Sequence, residues 1–180
     1  MSNVLIGIIG VILFIGLALA GALFLGPRFQ ESTNNSKASA AVQAVSQISS
    51  AANMNNVQGG TATQAGSNAT VVTKLVTDGY LKSIPSNPVT LGGAPLLVGS
   101  AAGAATGDAS HVIMSIPTAS VAICEAIARQ SGQAVVAGTG VITDVATGGA
   151  SLPTRPSGCA KITGTASTVM PAGLYAFAAI

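Results

Sequence analysis

Charge is what this sequence has least of. Asp, Glu, Lys and Arg make up 7% of its 180 residues, against about 25% in ordinary soluble domains. Its seven Lys and Arg are dispersed, so no basic run follows a phosphate backbone and no dedicated nucleic-acid site is expected. Tryptophan is absent, and histidine occurs once, as His111. The acids Glu31, Asp78, Asp108, Glu125 and Asp144 fall at no paired acid–base spacing. No G-x-S-x-G, H-E-x-x-H or P-loop is present. The Gly-rich stretches Thr90–Pro95 and Thr147–Ala150 lack the strand–turn–helix setting of a phosphate cradle. His111 opens an apolar stretch, where a lone imidazole is a structural residue, and only it could serve Cys124 as a base. The expectation is a protein that is not an enzyme and holds no metal or cofactor.

The scarce charge is also unevenly placed. The first 27 residues contain no Asp, Glu, Lys, Arg or His. Val4 to Leu25 is a run of 22 almost wholly apolar residues. As a helix it is about 33 Å long, enough for a hydrocarbon core of about 30 Å. Ala18-Leu19-Ala20 has the look of a signal cleavage site, but the run is long and has no Lys or Arg before it. A retained helix is therefore expected. Gly7, Gly10, Gly16, Ala20 and Gly21 suit close helix contact, with Gly16 and Ala20 a small-xxx-small pair. Gly26-Pro27 predicts a bend or break before Arg28, the first charge. So little charge on the remainder is explained either by an assembly that covers the surface or by Ser, Thr and Asn solvating it; we favour assembly.

Residues 28–180 suit one domain. Ala38, Ala41, Val42, Val45, Ile48, Ala51 and Ala52 recur three or four apart, predicting an amphipathic helix over 30–56 that Gly59-Gly60 ends. Thr61–Asn68 reads as a polar loop. A short helix follows over Val71–Thr77, capped by Asn68 or Thr70 and stopped by Gly79. Asn68-Ala69-Thr70 also fits the N-glycosylation pattern. Leu81–Pro88 is a Pro-punctuated connector. Val89–Val98 and His111–Ile116 read as strands around a Gly/Ala-rich loop, Gly99–Ala109. Ser120–Gln130 reads as a helix carrying Cys124, capped by Thr118 or Ser120. Ala134–Ala137 and Val141–Val145 form a candidate hairpin about Gly138-Thr139-Gly140, and Thr165–Val169 and Leu174–Ala178 are the last strands. Cys159 is expected in a loop. In an exported domain Cys124 and Cys159 form one disulfide worth about 3–4 kcal/mol; in a reducing compartment they stay buried thiols. The fold class is α+β, a long N-terminal helix packed on an antiparallel sheet. Its divisions are 1–27 as hydrophobic helix, 28–58 as amphipathic continuation and 59–180 as globular domain.

Two stretches carry a family resemblance. LVTDGYLKSIPSNP (Leu75–Pro88) is similar to the Leu-Val-x-x-Gly-Tyr-Leu-x-x-x-Pro segment after the first helix of many pilins and pseudopilins. IPTASVAICEAIARQSG (Ile116–Gly132) resembles the segment of b-subclass pilins in which Pro precedes a short helix holding the first disulfide cysteine. With the N-terminal helix, the chain resembles a type IV pilin of the b subclass. The resemblance implies a subunit that polymerises with copies of itself into a pilus, through a helical core of Val4, Leu5, Gly7, Gly10, Phe14, Gly16, Ala20 and Phe24. It implies a Cys124–Cys159 disulfide closing the C-terminal region. It also implies residence in the inner membrane, handling by an assembly machinery there, and a final place in a cell-surface filament. Adhesion, motility and uptake would belong to that fibre. The family's acid near the start of the helix is missing, since Leu5 holds the fifth position and Glu31 is the first acid.

Two other readings fit the same residues. One is a pseudopilin of a secretion system, in a short periplasmic structure. The other is a single-pass anchored binding domain of the cell envelope, which leaves the sparse surface charge unexplained. Phe14, Phe24 and Phe29 are too few and too far apart for a stacked conductive path.

Overall fold

The structure is a computed structural model and describes residues 2–60, 69–90, 95–99, 109–135, 144–146, 155–163 and 172–180. Its first element, α1 (Ser2–Val57), is 56 residues long and contains Pro27. The expected break at Gly26-Pro27 is corrected: the helix continues through both residues. Proline removes the bond that its own N–H would make to the Leu23 carbonyl, and its ring crowds that carbonyl, yet neither ends the helix. By packing, the chain divides into two units, Met1–Asn34 and Asn35–Ile180.

Within the second unit, residues 35–57 of α1 bury the stripe expected from the 3.6-residue period. Ala38, Ala41, Val45, Ile48 and Ala52 are fully buried, with Ala44 and Ala51 nearly so. Alanine keeps this face thin, so backbones approach closely while Val45 and Ile48 supply bulk. Ser49 Oγ donates to the Ala179 carbonyl, tying the helix to the last strand. The helix ends in a Schellman turn: Gly59 has φ +74°, Gly59 N–H donates to Asn56 O at 3.1 Å, and Gly60 N–H to Asn55 O at 2.8 Å. A side chain at Gly59 would be strained at that positive φ.

Helix α2 (Ala69–Thr77) buries Val71, Val72 and Leu75 and is closed by the same turn at Gly79. Thr70 therefore lies inside the helix rather than capping it, while Asn68 lies outside the described residues. Residues 81–88 are irregular, as expected. Asn87 anchors the connector: its Nδ2 donates to Ser115 O at 2.8 Å and its Oδ1 accepts from Val89 N–H at 2.9 Å.

Strand β1 (Leu96–Gly99) is shorter than the expected Val89–Val98, because residues 89–90 form a bend at that Asn87 turn. Strand β2 (Ala109–Ile116) leads through a 3-10 turn (Thr118–Ser120) into α3 (Val121–Gln130). Ser120 takes the N-cap position without a side-chain cap bond, and its own N–H donates to Pro117 O at 2.8 Å in the preceding turn. Strands β3 (Asp144–Ala146), β4 (Ser157–Thr163) and β5 (Gly173–Ala179) complete the described elements. Cys159, expected in a loop, lies in β4 opposite Ala176. Pairing with β5 overrides the local Arg-Pro-Ser-Gly turn signal. The Thr61–Asn68 loop, most of the Gly99–Ala109 loop, residues 136–143 of the hairpin and Thr165–Val169 lie outside the described residues.

The described sheet runs β1-β2-β5-β4-β3. It is antiparallel except at its edge, where β3 pairs parallel to β4 with Asp144 opposite Lys161. Alternation along β5 divides two faces. Leu174, Ala176 and Ala178 join Val112, Met114 and Ile116 of β2 in the core that includes α1, α2 and α3. On the other face Tyr175, Phe177, Ile113, Ala160 and Ile162 are also buried. The architecture is α+β, a long helix packed through residues 35–57 on a largely antiparallel sheet.

Burial pushes the Tyr175 phenol above its ordinary value of 10.0. The folded protein therefore keeps a proton that the unfolded chain gives up near that pH. Stability from this group is present below about pH 10 and is lost as pH rises beyond it. Urea midpoints measured on either side of pH 10 should fall less in Tyr175→Phe than in the unaltered chain. Equal falls would assign the alkaline loss to other groups.

Candidate functional site: the exposed apolar helix

Every large apolar side chain from Val4 to Leu25 is exposed, between 51% for Ile15 and 78% for Leu23 and Phe24. Leu5, Val4 and Phe14 stand at 61%, 68% and 74%. None of the most hydrophobic stretch is covered by the chain itself. Full burial of one such side chain is worth about 1.5–3 kcal/mol, so leaving them all in water would cost tens of kcal/mol. A helix apolar on all sides belongs in lipid or among other helices. By length and composition this one suffices to cross a membrane.

The small residues of this helix face open space. A Cβ at Gly7, Gly10, Gly16 or Gly21 would meet nothing within 4 Å, and Ala20, Gly26 and Pro27 are exposed. At about 100° per residue, Gly7, Gly10 and Gly21 fall within about 60° of one another, and Gly16 and Ala20 lie roughly opposite. The small residues thus form two faces, an arrangement suited to neighbours on both sides. Nothing in the chain itself resists Gly16→Leu, and the change should strengthen the isolated helix slightly. Gly16→Leu and Ala20→Leu are expected to reduce self-association while the second unit stays folded. Undiminished association of both variants, by filament yield or cross-linking, would exclude packing through that face.

The second unit places the remaining candidates. Cys124 on α3 and Cys159 on β4 are joined in a disulfide with Cα atoms 5.5 Å apart, and both residues are fully buried. Gln133, which nothing in the sequence marked, braces this link: its Oε1 accepts from Cys159 N–H at 2.8 Å. Its carboxamide occupies the space that a side chain at Gly158 would need. Only the Gly132 turn after α3, with φ +69°, brings it there. His111 is buried, with Nδ1 2.8 Å from Ser110 Oγ and its ring edge-on to Phe177. It pairs with Ala179 on β5 and is not brought to the α3–β4 disulfide by the sheet register. Glu125 and Arg129 pair at 3.5 Å across one turn of α3, a contact worth about 0.3–0.5 kcal/mol.

Comparison with known protein families, curated proteins and solved structures finds no match to this chain. The long apolar N-terminal helix, small sheet and disulfide are nonetheless compatible with a pilin-like subunit.

Proposed function

We propose that this chain is the structural subunit of a type IV pilus-like filament and polymerises through residues 4–25 of α1. The observation that carries the reading is an apolar helix exposed on all sides, joined in one chain to a folded α+β unit of low charge. Lipid covers the helix first, in the inner membrane, and identical helices cover it after assembly at the cell surface. The transfer is cheap because both surroundings are apolar, and the preference for the bundle comes from packing at small residues. Without an acid at Leu5, no buried carboxylate needs a partner during the transfer. The partners are other copies of the chain and the inner-membrane assembly machinery. The role is mechanical, with no catalysis and no cofactor.

Electron microscopy of filaments sheared from expressing cells, with the subunit identified by mass spectrometry, tests this. Long uniform fibres built of this chain are expected. A chain confined to the membrane fraction, with no fibre, would replace the reading with an anchored domain or a pseudopilin.

A further inference from the structure

An apolar helix surface attracts neighbours but barely distinguishes one axial position from the next. Sliding one Leu/Ile/Val-rich helix along another by a turn exchanges similar side chains for similar ones. Something directional must break that degeneracy, as paired charges flanking an apolar seam do in coiled coils.

Residues 1–34 carry only two charged side chains, Arg28 and Glu31, just past the end of the apolar run. They are opposite in sign, so this unit is complementary to a copy of itself. Within one chain, Arg28 Nη1 lies 3.9 Å from Glu31 Oε2, and the side chains are 76% and 59% exposed. A charge-assisted hydrogen bond is about 2.7–2.9 Å long, so the contact is loose. The guanidinium has donors to spare and the carboxylate has lone pairs to spare.

We infer that Arg28 and Glu31 pair between neighbouring copies of this chain and set the axial register of the assembled helices; the inference rests on the filament reading above. The two residues are about 4.5 Å apart along the axis. A parallel neighbour displaced by about that distance, just under one turn, brings Arg28 of one copy level with Glu31 of the next. Neighbouring helices exclude water there, which strengthens a matched pair and penalises an unmatched charge. A lipid headgroup surface fits less well: anionic lipid would attract Arg28 and repel Glu31, whereas a second copy satisfies both.

The test uses the full-length chain with Arg28→Glu and Glu31→Arg, expressed singly and together. Each variant carries like charges in this segment, and neither can form the pair within one chain. Juxtaposing like charges between copies costs enough that each variant alone should lose about tenfold or more in filament yield. Co-expression should restore filaments, with both chains in the same fibre by mass spectrometry. Single variants that assemble as well as the unaltered chain would overturn the inference and leave the filament reading intact. Single variants that fail both alone and together would overturn it too, assigning the pair to one chain. Loss of either variant from the membrane fraction would assign it to anchoring in lipid. If the unaltered chain forms no filament, the filament reading itself fails, and this inference with it.

Discussion

Phe177→Ala is expected to destabilise the second unit by about 3–5 kcal/mol, the range for deleting a buried aromatic ring. Phe177 is fully buried and lies in β5, the central strand of the described sheet. It stands opposite Ile113 on β2 and Gly158 on β4. His111 meets its ring edge-on, with centroids 6.1 Å apart, so truncation also removes an aromatic contact. The site cannot easily collapse. Strands hold it on both sides, and the space beside Gly158 is already taken by the Gln133 carboxamide. Urea unfolding of the full chain in detergent, followed by tyrosine fluorescence without interference from tryptophan, reads the loss directly. Phe177→Leu should cost less than half as much. A loss below about 1 kcal/mol in Phe177→Ala would show that the site relaxes around the cavity, contrary to this packing.

Removing the disulfide ranks with it. Cys124 and Cys159 are 35 residues apart in sequence, and closing a loop of that length costs the unfolded chain about 4 kcal/mol of entropy. Domains of this size have about 5–15 kcal/mol in total, so the Cys124→Ala/Cys159→Ala double variant should lose a large share of its stability. Alanine is the right replacement because both positions are fully buried and a serine hydroxyl would need a partner. The same burial should make the native disulfide slow to reduce, since a thiolate reaches it only when α3 and β4 separate. A double variant with an unchanged urea midpoint would show that α3 is held to the sheet by packing alone. The two predictions are not independent. Cys159 neighbours Gly158, which faces Phe177, so the combined variant should depart from additivity.

Both changes act on contacts between segments distant in the chain, and there the sequence was least legible. Leu174–Ala178 could be seen as a strand from its own composition. Nothing local reveals β4, because Gly158 and the preceding Pro-Ser read as a turn until β5 is laid beside them. Gln133 is a polar residue after a helix in the sequence, and a brace on the disulfide strand only in three dimensions. At Gly26-Pro27 the break suggested by the local rule does not occur: the helix continues through the proline despite one missing hydrogen bond. Gly7, Gly10, Gly16, Ala20 and Gly21 were readable as one group of small residues, and the helical period separates them into two faces.

What the sequence determined by itself is what depends on composition and short-range periodicity. The charge-free run to Leu25, the Ala38-to-Ala52 stripe and the glycines at 59 and 79 each act within a few residues, through solvation, helical pitch and backbone freedom. Tertiary structure decided the rest: the strand order, the parallel edge at Asp144 and Lys161, the strand that holds Cys159, and the burial of Gln133. These depend on which distant segments meet. Hydrogen bonds and packing between strands are satisfied by shape and register across the sheet, and neighbours in sequence carry almost no record of that choice.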